Sequence, residues 1–358
     1  MRAVAEILGA KSSPFQIFSG VSAGAINSTA LAIEAGDFIR GTDQLWDTWH
    51  SLTPDRVYRT DARSLASIGS RWMKELGVGG LFGAGTINHL LDTSPLRSLL
   101  TKKFVLSTLA DHLKSGVITG VSVSATNYHT GTAVTFYDAP SAQPWVRSMR
   151  LGLRATLTVD HLMASAAIPI FFPPVFIDGA FFGDGCIRLA SPLSPAIHLG
   201  ADKILAVGVR ALRTGDQTAD LNQMNHAHSP ALSEIGGVLL NAVFLDSLEG
   251  DVERLERINR TLSLMTPEQC QAATQTLRPI PILVLRPSRD LGSLAERQHE
   301  HFPLLLRYLL RGLGVAGARS GDLLSYLAFE PNYVRKLLDL GYEDTLARRD
   351  DVVTFFED

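Results

Sequence analysis

Gly20-Val21-Ser22-Ala23-Gly24 sets a serine between two glycines in the pattern G-x-S-x-G. In that pattern a strand runs into the serine and a helix runs out, so the hydroxyl stands on a tight turn at a helix start. Gly20 and Gly24 are the small flanking residues such a turn needs, and Ala23 and Ala25 let the helix lie close to the sheet. The backbone N–H of Ala23, with the helix dipole behind it, would favour negative charge developing beside Ser22. The same residues also read as an ordinary strand-to-helix turn with Ser22 as the N-cap, and both readings stay open at this point.

A serine hydroxyl is a weak nucleophile and needs a base. Ten histidines are present, none in a triad pattern, and His161 and His198 read as surface or satisfied core residues. A carboxylate is the other solution: held against the hydroxyl, it can orient it and accept its proton once burial raises its pKa. Asp184-Gly185 follows the apolar stretch 171–182, and Asp178-Gly179-Ala180 lies six positions earlier. Either Asp-Gly pair can equally be a plain turn. His226-Ala227-His228 and His299-Glu300-His301 lack zinc-protease spacing, so no metal is expected. Gly183-Asp184-Gly185-Cys186 lacks the third glycine of a dinucleotide fingerprint, no Walker A sequence occurs, and no cofactor is expected.

The elements that must carry these groups can be read from periodicity. Val4, Ile7 and Leu8 have helical spacing, closed by Gly9. Residues 15–18 read as a short strand, 20–24 as a turn and 25–35 as a helix of small residues. Residues 37–113 are mostly helical, broken by a glycine cluster at 77–85. Alternation predicts strands at 117–126 and 133–137, and apolar runs at 203–209 and 281–285 read as buried strands. Leu245, Leu248, Val252, Leu255, Ile258 and Leu262 share one helix face, and the tail adds helical runs at 304–310 and 334–340. Strands alternating with helices argue an α/β layered fold.

Composition bounds the rest. The chain has 358 residues, 46 % hydrophobic and 19 % charged, which excludes a disordered protein. A formal charge of −3 argues against a general nucleic-acid binder. Two cysteines, Cys186 and Cys270, cannot build a disulfide framework and fit a reducing compartment. The uncharged stretch 161–177 holds Pro169, Pro173 and Pro174, and the Leu-rich run 302–315 is interrupted by Arg307 and Arg311, so no spanning helix is expected. Glu6 stands where a leader's apolar core would begin, and no leader is expected.

Four blocks together resemble the patatin-like phospholipases, Ser–Asp lipid acyl hydrolases. Residues 18–27, Phe-Ser-Gly-Val-Ser-Ala-Gly-Ala-Ile-Asn, are similar to the family's nucleophile block. Val123-Ser124-Ala125-Thr126-Asn127 with Thr130-Gly131 resembles its central strand and hairpin. Ala164-Ser165-Ala166-Ala167-Ile168-Pro169 with Phe172-Pro173-Pro174-Val175 resembles the segment before its aspartate. Asp184-Gly185, then Pro192-Leu193, Ala196 and Leu199-Gly200-Ala201-Asp202, resembles the aspartate block. The resemblance spans roughly residues 1–210. It implies a three-layer α/β/α sandwich with a mostly parallel central sheet, a helical insertion at about 37–115 and a C-terminal helical extension at 211–358. That extension, with its strand at about 281–285, would pack on the same domain.

The resemblance also implies roles. Ser22 is the nucleophile. The family places a proline eight residues after its aspartate, and Pro192 stands eight after Asp184, so the base is carried to Asp184. Asp178, whose Asp-Gly-Ala matches the motif literally, is the alternative. Cys186 holds the third motif position, where Gly or Ala is usual. A larger departure is at the start: the family opens with a strand and a Gly-rich oxyanion loop, whereas Met1-Arg2-Ala3-Val4 resembles the middle of the helix that follows it. Without that strand the nucleophile strand would have an open edge.

The implied function is cleavage of fatty-acyl esters of phospholipids or related lipids. The alternative is a non-catalytic lipid-binding protein on the same fold. Leu81, Phe82, Ile87, Leu90 and Leu91 read first as core residues and second as an acyl-chain groove. Arg307, Arg311, Arg335 and Lys336 read as solvating a helix face, with peripheral contact to an anionic membrane as the alternative. A lipid ester is the expected partner, nucleic acid is not, and the expected location is cytoplasmic, at most peripheral at a membrane.

Overall fold

The computed structural model describes residues 1–59, 88–212, 214–223, 232–244, 246–266, 268–270, 277–296 and 326–357. Val4 and Ile7 are buried on α1 (Arg2–Leu8), which closes on Gly9 at φ 59°, a left-handed position that glycine adopts without penalty. β1 (Ile17–Val21) runs further than the apolar run suggests, up to the residue before Ser22. Ser19 and Gly20 carry no strand signal in their side chains; backbone pairing with the next strand draws them in. Phe15 is released from the strand and packs edge-on against Phe18, Phe38 and Phe356. α2 (Ala23–Ile33) follows directly, then α3 (Phe38–His50) and the single turn α4 (Pro54–Val57). α5 (Ser94–Lys103) and α6 (Ser107–Ser115) complete the described part of the helical insertion; the glycine cluster lies outside the described residues.

β2 (Gly120–Asn127) is central, and both of its faces are buried. Val121, Val123 and Ala125 enter the main core with Phe18, Val134 and Phe136. The alternate hydroxyls are equally buried and each has a partner. Ser122 Oγ donates to Ser19 Oγ at 3.0 Å, Ser124 Oγ bonds Thr135 Oγ1 at 2.9 Å, and Thr126 Oγ1 donates to the Asp184 carbonyl at 2.8 Å. Alternation here separates apolar packing from a hydroxyl network, both inside the protein.

β3 (Thr132–Asp138), β4 (Trp145–Arg147), β5 (Arg150–Arg154), β6 (Val175–Ile177) and β7 (Ala180–Asp184) complete a seven-stranded sheet in the order β4-β5-β3-β2-β7-β6, with β1 also on β2. The expected mostly parallel sheet is instead mixed: β1–β2 and β3–β5 are parallel, while β2–β3, β2–β7, β4–β5 and β6–β7 are antiparallel. Short hairpins join β2 to β3, β4 to β5 and β6 to β7, and a hairpin can only make an antiparallel pair. α7 (Val159–Ser165) packs on β2, and α8 (Ser194–His198) sits by β1.

The rest of the chain is built onto this body. β8 (Ile204–Val207) pairs in parallel with β9 (Ile282–Leu285), at the two expected strand positions. Between them lie α9 (Gly215–Gln223), α10 (Leu232–Phe244) and α11 (Asp246–Ser263). α11 buries the expected Val252, Leu255 and Leu262; Leu245 lies outside the described residues. α12 (Leu291–Glu296), α13 (Pro331–Ala347) and α14 (Arg349–Glu357) follow, and α13 packs on α1 and α3. Leu327, Ala328 and Tyr333 belong to the same core as β2. Among the described residues β1 pairs only with β2 and β8 only with β9, and both strands line one cavity of about 2160 Å³. Among the described residues no strand lies on the other edge of β1, in line with the open edge expected of the nucleophile strand.

Candidate active site

One edge of β2 assembles the site. β3 covers one side of β2 from Val121 to Asn127, so β1 and β7 share the other. β1 takes the first half, ending at Val21 opposite Ser124. β7 runs the other way along the second half, ending at Asp184 opposite Ala125. The ends of the two strands therefore meet at neighbouring positions of one strand. Ser22 leaves the first end, and Asp184 closes the second.

Ser22 has φ 55° and ψ −131°, a conformation rarely adopted by a residue with a Cβ and costing of order 1–3 kcal/mol. Its hydroxyl makes no cap to α2. Instead Ser22 Oγ donates to Asp184 Oδ2 at 2.6 Å. Ser22 stands at the N-cap position of α2, but the side chain that could cap the helix is bonded to a carboxylate instead. The other carboxylate oxygen, Oδ1, accepts the backbone N–H of Cys186 at 2.9 Å. Asp184 is 0 % exposed, and burial pushes its pKa up to about 7, against the lowering effect of the Ser22 and Cys186 hydrogen bonds. Burial, followed by the Asp184 charge, also raises Tyr128 and holds the Cys186 thiol well above its ordinary value. The thiol at the third motif position is thus a protonated neighbour of the carboxylate.

The two glycines of the elbow differ. A Cβ on Gly20 would lie 2.3 Å from the Gly24 carbonyl oxygen and 2.4 Å from Ser28 Oγ, so no side chain fits. A Cβ on Gly24 would meet nothing within 4 Å. The expectation that both glycines are needed for room is corrected: Gly24 is exposed on the first turn of α2 and lines the cavity. Ala23, also exposed, opens the helix, where the first N–H groups have no partner within the helix. Gly185 has the stricter need, since a Cβ there would lie 2.2 Å from the Ser124 carbonyl oxygen and 2.6 Å from Val21 Cγ2.

Asp178 stands elsewhere. With Gly179 it forms the two-residue connection between β6 and β7, with φ of 46° and 88°. Two positive φ values in a two-residue loop mark the hairpin turn that Asp-Gly favours. The histidines are also occupied elsewhere. His161 Nδ1 bonds Thr158 in a capping box and its ring meets Phe136 edge-on at 4.4 Å; His198 stacks on Trp145 at 4.5 Å. Burial lowers the pKa of both. Among the described residues no cluster of His, Cys, Asp or Glu could hold a metal ion, and no helix is long and apolar enough to cross a membrane. His226, His228, His299 and His301 lie outside them, as do Arg307 and Arg311, while Arg335 and Lys336 are exposed on α13.

A family model described as Patatin-like phospholipase matches residues 1–197. The chain belongs to the patatin-like phospholipase family. That family comprises lipid acyl hydrolases, and the mixed α/β architecture above agrees with its α/β/α fold. No curated protein matches the chain.

Two features of this patatin-like site were not read from the sequence. The cavity that Ser22 lines counts Leu45, Trp49, Leu52, Leu96 and Phe172 among its apolar lining residues. Of the anticipated groove residues, Leu91 is 1 % exposed in the core and Leu90 packs against that core, while Leu81, Phe82 and Ile87 lie outside the described residues. The second is Ser165, at the end of α7, which accepts the Ser22 backbone N–H on its Oγ at 2.9 Å. A serine 143 residues from Ser22 in the chain carries no local signal of that contact.

Proposed function

We propose that the chain hydrolyses fatty-acyl esters of phospholipids or related lipids through a Ser22–Asp184 dyad. The observation that carries this reading is the 2.6 Å hydrogen bond from Ser22 Oγ to the fully buried Asp184 carboxylate. Ser22 Oγ attacks the ester carbonyl carbon while its proton passes to Asp184. The Ala23 N–H donates to the oxyanion. Collapse of the tetrahedral intermediate expels the alcohol, which takes the proton from Asp184, and leaves an acyl-serine. Water then attacks the acyl carbon and gives its proton to Asp184. The second collapse releases the fatty acid and returns that proton to Ser22. The cavity that Ser22 lines has Trp49, Leu52, Leu96 and Phe172 among its apolar lining residues, which suits an acyl chain.

A lipid-binding protein without turnover is the second reading. It draws on the edge of β1 beside the serine, which pairs with no strand among the described residues. Fluorophosphonate labelling separates the two. The expected result is a label on Ser22 alone, absent in Ser22→Ala and slowed about 10²–10⁴-fold in Asp184→Asn. A folded chain that takes no label overturns the hydrolase reading in favour of the second.

A further inference from the structure

The end of α7 touches both members of the dyad through their backbones. Ser165 is 0 % exposed. Its Oγ accepts the N–H of Ser22 at 2.9 Å and donates to the Ser124 carbonyl at 2.6 Å. Two residues on, the Ala167 carbonyl accepts the N–H of Asp184 at 3.0 Å. A hydroxyl has one proton and two lone pairs. The Ser22 N–H can only donate, so the Ser165 proton is committed to Ser124 and the hydroxyl cannot turn away. Ser124 is the β2 residue opposite Val21, the last residue before the nucleophile. Serine, strand and helix are thereby locked to one another at a single point.

We propose that Ser165 is a positioning residue, holding Ser22 in its left-handed conformation and so fixing the approach of Ser22 Oγ to Asp184. The inference rests on the dyad reading above. The strain at Ser22, φ 55°, needs a restraint that outlasts thermal motion. Removing the Ser165 hydroxyl leaves the Ser22 N–H and the Ser124 carbonyl without this shared partner. Rotation of the 21–22 peptide is then the direct relaxation, and it swings Oγ off the carboxylate. Misplacement of a reacting group by about 1 Å costs up to roughly 10²-fold in rate.

The test compares Ser165→Ala, Ser165→Cys and Ser165→Thr with the unaltered chain. Three quantities are read: fluorophosphonate labelling rate against pH, melting temperature, and amide exchange of the peptide containing Ser22. In Ser165→Ala the rate is expected to fall about 10–10²-fold. Its acid limb should move to higher pH, because the Ser22 hydrogen bond that lowers the Asp184 pKa is weakened; Tyr128 and Cys186, the other titratable groups beside the carboxylate, are unchanged. Ser165→Thr retains an Oγ and should recover most of the rate. Ser165→Cys keeps the volume with a poor acceptor and should behave like alanine, which preserves the test if the alanine variant fails to fold. A merely structural residue would lower the melting temperature and leave rate and acid limb in place, and that result in a folded variant overturns the proposal. If the unaltered chain takes no label, the dyad reading falls separately. The positioning claim is then judged on exchange alone: faster at Ser22 in the alanine variant supports it, and equal exchange overturns it.

Discussion

The proposed role of Asp184 as a base comes at the expense of stability. Burial raises its pKa from 3.8 to about 7. Between these values the folded chain binds more protons than the unfolded one, so this group's contribution to stability falls as pH rises from about 4 to about 7. A shift of that size corresponds to roughly 4 kcal/mol at pH 8. Asp184→Asn is therefore expected to melt higher than the unaltered chain at pH 8 and to lose that advantage near pH 4, in thermal scans across pH. Labelling of Ser22 needs the ionised carboxylate and should rise with pH to a half-maximum near pH 7 before levelling. A profile already flat from pH 5 upward would contradict this assignment. The elbow glycines give a second contrast. Gly20→Ala should abolish or severely destabilise the fold, since its Cβ would press on the Gly24 carbonyl, whereas Gly24→Ala should fold normally, as circular dichroism and melting temperature would show. Ser22 stood out as a candidate because a serine between glycines is a local pattern, whereas Asp184 was favoured over Asp178 only through the resemblance to the family, whose proline spacing Pro192 matches. The unequal need for the two glycines was not legible in the sequence, because it depends on which neighbours face each Cβ.

At the scale of elements, two Asp-Gly pairs close together in the chain go to different tasks because one ends a strand and the other turns a hairpin. Asn suits the positive φ of that hairpin as well as Asp does. Asp178→Asn is thus expected to leave both melting temperature and Ser22 labelling unchanged, while Gly179→Val should destabilise by more than about 1 kcal/mol. A loss of labelling in folded Asp178→Asn would return the base to that residue. Alternation and apolar runs located β1, β2, β3, β8 and β9, but not β4, β5, β6 and β7, which are three to five residues long and carry too few positions to show a period. Strand direction was not readable. The hairpins at 127–132 and 177–180 turn the sheet mixed, and the meeting of β1 and β7 on one edge of β2 is a matter of register between distant segments.

In the molecule as a whole, we propose that residues 211–358 are part of one domain with residues 1–210. Tyr58 Oη donates to the Leu327 carbonyl at 3.1 Å, Arg348 bonds the Val284 carbonyl, and β9 is the partner of β8. A chain cut after residue 210 is expected to be insoluble or to lose its cooperative melting transition; a soluble, cooperatively melting fragment would refute the single-domain reading. The sequence pattern located β9, α11 and part of α13 but not α9, α10, α12 or α14, and its helical run at 304–310 lies outside the described residues. It carried no sign of the cavity between β1 and β8, whose walls come from segments far apart in the chain.

The shared edge of β2 also bears on how fast the site can form. Ser19 and its β2 partner Ser122 are 103 residues apart, and Ser22 and Asp184 are 162 apart. Closing loops of that length is slow, and contacts of high sequence separation are reached late. Refolding from denaturant should therefore recover helical circular dichroism well before competence for Ser22 labelling, with the two signals separated in a pulse-labelling time course. The nucleophile then reports the last step of sheet assembly, and a chain with native-like helix content can still be chemically silent.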